Sequence, residues 1–353
     1  MLPTDAVAMV PSELAERLRV MPKAEIHVHI EGATDAATFY QMAQRNQVEL
    51  PAQSLADWQT LFEFRDFPHF IQIYRMAVQC LKTLEDYALM IERFYQRQFE
   101  ENILYTEAFL SASFLSQTFE PEAILDAIAA GQAAGAAQYP CQIKLIPDIA
   151  RQLPDSQQRV LELALAGKER GIFIGLGIGG MEIGHPPEPF ADAYAEARRQ
   201  GLRVVAHAGE AVGPESIWGA IKALNVERIG HGTRCLEDPE LVEHLRQHQI
   251  PLEVSPQSNY CLGIVERDRP HPIRHMVDAG LYCTLNSDDP AMFATSLTHE
   301  YLTLAAQGFS WQELWQLNTN TLEATFLDEA EKRNYRTEWE KFWRTVSPGS
   351  SFQ

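Results

Sequence analysis

Eight times along the chain, a short apolar, β-rich run gives way to a longer stretch with apolar residues at three- and four-residue intervals. No other feature constrains the fold as strongly. The candidate strands are Ala24–His29, Ile103–Ala108, Gln142–Ile146, Ile172–Gly177, Arg203–His207, Arg228–His231, Leu252–Ser255 and Tyr282–Asn286. Helical stretches such as Pro189–Gln200, closed by Gly201, and Pro239–Gln249 lie between them. Strands this short and apolar suit burial on both faces, which predicts a parallel sheet covered by helices. Eight such units predict closure into a (β/α)8 TIM barrel, read as one domain over residues 1–353. No repeat, low-complexity block or linker divides the chain.

A long insert, roughly Ala33–Arg97, separates the first two strands and carries the aromatic residues Trp58, Phe62, Phe64, Phe67 and Phe70. These either form the core of the insert's own helices or roof a flat ligand as a hydrophobic lid.

In a barrel of this kind, polar residues that end different strands converge at one face. The first strand ends in EIHVHIEG, the fifth in VVAHAGE, the sixth in RIGHG and the eighth in TLNSDDP. His27 and His29 are two apart, so on an extended strand both point to one side. With His207 and Asp288 they make a set of three imidazoles and one carboxylate, which suits Zn2+ better than iron or manganese and leaves room for a water. The fourth strand, GIFIGLGIGG, has no lysine to bridge a second ion, so one metal per chain is expected.

Metal-bound water needs a base as it attacks. His231 is placed to orient that water, with Asp288 as the carboxylate that accepts its proton, unless His231 is a structural histidine. Glu210, three residues after His207, either reaches a ligand or caps the next helix. Asp289 has the same two readings.

Charge narrows the partner. Lys+Arg 29 against Asp+Glu 48 gives a formal net charge of −19, which repels nucleic acid and anionic lipid and favours a neutral or cationic small molecule as partner. No stretch approaches the apolar length that spans a bilayer, and MLPTDAVAMVPSELAERLRV is interrupted by acids and prolines. The five scattered cysteines include no CxxC pair. A reducing cytoplasm without a signal peptide is the expected setting.

The stretches MPKAEIHVHIEG, VVAHAGE, ERIGHGTRCLEDPEL, PLEVSPQSN and TLNSDDPAMF, with the pair Glu300–Tyr301, occur in order across Met21–Tyr301. Together they resemble the adenosine deaminase family of the amidohydrolase superfamily. The resemblance implies that His27, His29, His207 and Asp288 hold the zinc and that His231 and Asp288 activate its hydroxide. It further implies that Glu210 protonates N1 of the purine, Asp289 bonds N7 and the Gly180 amide faces N3. Ser258 matches a hydroxyl kept behind the ligands. His29 is implied to meet the substrate as well as the metal. Glu31 stands where adenosine deaminases usually have an aspartate that meets the ribose 5′-hydroxyl, a glutamate there being familiar from adenine deaminases and from deaminases of modified nucleosides. The expected reaction is adenosine to inosine plus ammonia, with adenine or a 5′- or N6-modified adenosine as the alternative. Adenine deaminases resemble Ile-Asp-His-Gly on the sixth strand, whereas this chain has Ile-Gly-His-Gly.

Other classes fit less well. A catalytically silent nucleoside-binding relative should have lost one of these polar residues, and another hydrolase of the superfamily would lack Glu210 and Asp289 together. The H-x-E and P-C-x-x-C signature of the other zinc deaminases is absent: Pro140–Cys141 runs into Gln142, Ile143 and Lys144.

Overall fold

In the computed structural model, which describes residues 7–64 and 67–346, the strands are β1 Lys23–His29, β2 Ile103–Leu110, β3 Gln142–Ala150 and β4 Gly175–Gly179, then β5 Arg203–Ala208, β6 Arg228–His231, β7 Leu252–Val254 and β8 Cys283–Leu285. They pair in sequence order, each parallel to the next. Just past β8, Asp288 bridges to Val28 of β1: His29 N–H donates to Asp288 O at 2.8 Å and Asp288 N–H to His27 O at 3.1 Å. These bonds draw the two ends of the sheet together and set Asp288 beside both β1 histidines. The expected (β/α)8 barrel is what forms.

The fourth strand differs from expectation, beginning at Gly175 rather than Ile172 and ending at Gly179 rather than Gly177. Phe173 makes only an isolated bridge to Leu145, and regular pairing with β3 begins at Asp148 opposite Gly177. A uniformly apolar run has no alternation to mark where its ladder starts.

The two helices singled out by periodicity are present as Ala191–Arg199 and Pro239–His248. Asp238 caps the second by accepting from Glu240 N–H, and Gln249 ends it in a left-handed conformation at φ 48°.

In the insert, Asp35 caps the helix Ala36–Arg45, and Thr83 with Asp86 forms a capping box on Leu84–Glu100. Trp58, Phe64 and Phe70 are buried. Phe64 and Phe70 both pack on Phe293 after β8, with ring centroids 5.8 and 5.1 Å away. Phe67 and Phe70, on the helix Phe67–Val78, also line the cleft at the barrel mouth. The cluster is therefore core at one end and roof at the other. All five cysteines are free thiols, and no described helix is long and apolar enough to cross a membrane.

Candidate metal centre and active site

His27, His29, His207 and Asp288 come together at the C-terminal mouth, with one ligand atom from each within 4.8 Å of the others. His29 Nε2 lies 3.0 Å from His207 Nε2, while Asp288 Oδ1 is 3.4 Å from His29 Nε2 and 3.6 Å from His27 Nε2. Second partners fix two of the tautomers: His27 Nδ1 bonds Glu253 Oε2 at 2.7 Å and His207 Nδ1 bonds the Ile178 carbonyl at 2.9 Å. Each bond keeps the proton on Nδ1 and turns the Nε2 lone pair inward. His27 Nε2 is buried without a hydrogen-bond partner. Burial works against charge on His27, but the nearby Asp288 and Glu253 carboxylates outweigh it and raise the ring, a field that favours positive charge at Nε2, whether a proton or a metal cation. His29 is lowered to about 4, chiefly by burial. These are the donors and the field that fit one divalent cation.

Beneath this set runs a buried ionic ladder. Arg228 Nε pairs with Glu253 Oε1 at 2.6 Å, and its other arm pairs with Glu107, which also accepts from the Tyr105 hydroxyl at 2.9 Å. The guanidinium lies 3.7 Å over the Phe326 ring. Gly230, between the two layers, leaves room for His27: a Cβ there would fall 2.7 Å from His27 Cε1.

Three more acids and bases face the same space. His231 Nε2 is 3.7 Å from Glu210 Oε2, and Glu210, His231 and Asp288 form a compact group. His231 and Asp288 both hold φ of 63°, a strained conformation for residues with side chains. Glu210 is positioned by its backbone. The buried Glu182 carboxylate accepts from Gly209, Ala211 and Val212 N–H at 2.7 Å each and from Glu210 N–H at 3.2 Å. Burial raises Glu210 well above the usual carboxylate range, and the Asp288 and Glu182 charges add to this. Asp289 is raised by burial and then by Asp288. Asp288 goes the other way: burial opposes its charge, but the surrounding His27, His231 and His29 hold it well below. Burial lowers His231 to about 3. One carboxyl group is thus pushed down beside two that are pushed up, a division that suits proton transfer.

His29, Gly180, His207, Glu210, His231, Asp288 and Asp289 line the cleft. Glu31 does not. It is 1% exposed and accepts from Ser111 N–H at 2.8 Å, with the Tyr74 hydroxyl 3.4 Å away, so Tyr74 and Ser111 present the wall at this point. The Ser258 hydroxyl is buried with no hydrogen-bond partner and touches none of the ligands through such a bond.

Sequence reasoning did not find Glu253, Glu182, Arg228 or Asp148. The signal for Glu253 and Asp148 was there to read: Glu253 is the one polar residue of β7 and Asp148 interrupts the apolar end LIPDIA of β3, where an unpaired charge is costly.

Comparison with known proteins agrees with this geometry. The family model described as adenosine deaminase matches residues 22–341. Adenine deaminase of Cupriavidus necator is 36% identical over 337 residues, covering 95% of each chain. Aminodeoxyfutalosine deaminase of Streptomyces avermitilis is 36% identical over 326 residues, covering 90% of each. The crystal structure of adenine deaminase from Arthrobacter aurescens matches with a TM-score of 0.85 at 32% identity, covering 91% of this chain and 100% of that one. None of the three is named for adenosine itself, which moves the expected substrate from adenosine toward the alternatives. The chain belongs to the adenosine deaminase family, and it is an enzyme that hydrolyses C–N bonds.

Proposed function

We propose that the enzyme replaces the 6-amino group of an adenine base with oxygen, releasing ammonia, and that its substrate is a nucleoside extended beyond the sugar. The observation that carries the reaction is the convergence of the His27, His29, His207 and Asp288 set with Glu210, His231 and Asp289 in one buried cleft. A bound zinc ion supplies a water of lowered pKa there. Asp288, with His231 beside it, takes the proton of the attacking water. Glu210, whose carboxyl group burial pushes well above the usual carboxylate range, gives its proton to N1 as C6 loses aromaticity. Asp289 donates to N7, and the Gly180 amide meets N3.

The size of the substrate follows from the cleft. Beyond the polar groups that meet the base it continues along Phe67, Phe70, Ile71 and Phe114, an apolar extension that suits a substrate longer than a bare purine. Arg75 is the one Lys or Arg lining it among the described residues, and it suits an acidic group at the far end of a substrate. Gly230 in place of the aspartate of the adenine-type pattern supports the same reading.

Free adenine is the second reading, favoured by the names of the Cupriavidus and Arthrobacter relatives. Steady-state assays on adenine, adenosine, 5′-substituted adenosines and aminodeoxyfutalosine, followed by the absorbance change as ammonia departs, decide between them. The highest kcat/KM is expected on a nucleoside with a 5′ substituent. A preference for adenine makes the enzyme an adenine deaminase.

A further inference from the structure

Asp148, at the mouth end of β3, is a buried carboxyl group with no role in the reaction described above. It lines the cleft at 7% exposure, and its Oδ1 has no hydrogen-bond partner. The neighbouring strand makes room for it. β4 reads Gly-Leu-Gly-Ile-Gly, and a Cβ on Gly177 would fall 2.2 Å from Asp148 Oδ1, one on Gly179 2.5 Å from Oδ2. Neither glycine has a positive φ, so space alone requires them. Two side chains are forgone on one strand to seat one carboxyl group on the next. A buried polar group kept at that cost and left unbonded is a site for a ligand's polar atom.

The order of strands says which atom. On the reading proposed above, on which this inference rests, Glu210 after β5 meets N1 and Gly180 after β4 meets N3. β3 is the next strand round the barrel, and the next position round the purine after N3 is N9, where the sugar is attached. The sugar hydroxyls are the hydrogen-bond donors nearest that point. We infer that Asp148 accepts a hydrogen bond from a ribose hydroxyl and so sets preference for a ribonucleoside.

The test compares adenosine, 2′-deoxyadenosine and 3′-deoxyadenosine on the metal-loaded wild type, Asp148→Ala and Asp148→Asn, with melting temperature and metal content as controls on folding. The wild type should prefer adenosine to one of the deoxy analogues by roughly 10- to 100-fold in kcat/KM, the scale of leaving a buried hydrogen-bonding group unpaired. In Asp148→Ala that preference should collapse to about twofold or less, with adenosine losing activity and the matching deoxy analogue nearly unaffected. Asp148→Asn, whose amide oxygen still accepts, should keep part of it. A wild type active on nucleosides but indifferent to the hydroxyls overturns this inference alone, as does an Asp148→Ala variant that keeps the discrimination or loses all substrates equally. A wild type that deaminates no nucleoside overturns the proposed substrate class as well.

Discussion

His27 Nδ1 and Glu253 Oε2 lie 2.7 Å apart with both side chains at 0% exposure, and the other oxygen of Glu253 is held by Arg228. Glu253 thus orients His27, one of the four residues of the candidate metal centre, with one oxygen and neutralises a buried cation with the other. Glu253→Gln should weaken metal binding by about 10- to 100-fold, read by competition with a chelator. It should also lower the melting temperature, because breaking a buried pair costs about 3–5 kcal/mol. Excess metal should restore turnover but not the melting temperature. Unchanged metal affinity would show that His27 is held by β1 alone.

Metal analysis should find about one zinc per chain, and His27→Ala or His207→Ala should lose metal and activity together. Two ions per chain, or full activity after exhaustive chelation, would contradict the single centre.

Glu210→Gln keeps the volume and a hydrogen bond but cannot give up a proton. Turnover should fall by roughly 10²- to 10⁴-fold with metal content unchanged. A variant as fast as wild type would reduce Glu210 to a structural residue.

Burial, then the Asp288 charge and then the Glu182 charge raise Glu210, and the role assigned to Glu210 needs its protonated form. Activity therefore persists below the Glu210 pKa and is lost as pH rises through it. Removing the Glu182 charge lowers that pKa, so Glu182→Ala should move the alkaline limb of the kcat/KM profile to lower pH. It should also speed amide exchange at Gly209–Val212, whose N–H groups lose their acceptor. An unmoved limb with faster exchange would leave Glu182 a purely structural clamp.

How much of this was legible in the sequence depended on the distance over which each feature is decided. His27, His29, His207, His231 and Asp288 all sit at strand ends, and the barrel rule alone brings such ends together. Glu31 could not be placed in the same way. Its offset from His29 says nothing about where the short helix Ile30–Ala33 turns its side chain, and the groups that take its oxygens, Tyr74 and Ser111, are 43 and 80 residues away. Glu253 was similarly hidden, since its two partners, His27 and Arg228, lie on other strands. The ends of β4 were invisible because its run is buried on both faces and carries no alternation to mark a boundary.

The contact between Gly230 and His27 ties two strands that are not neighbours in the sheet. The space a side chain at position 230 would need is filled by the His27 ring, 2.7 Å from where a Cβ would stand. Any side chain at residue 230 therefore calls for a matching shift of that ring or of β1 against β6, so a change made on the sixth strand is felt first on the first.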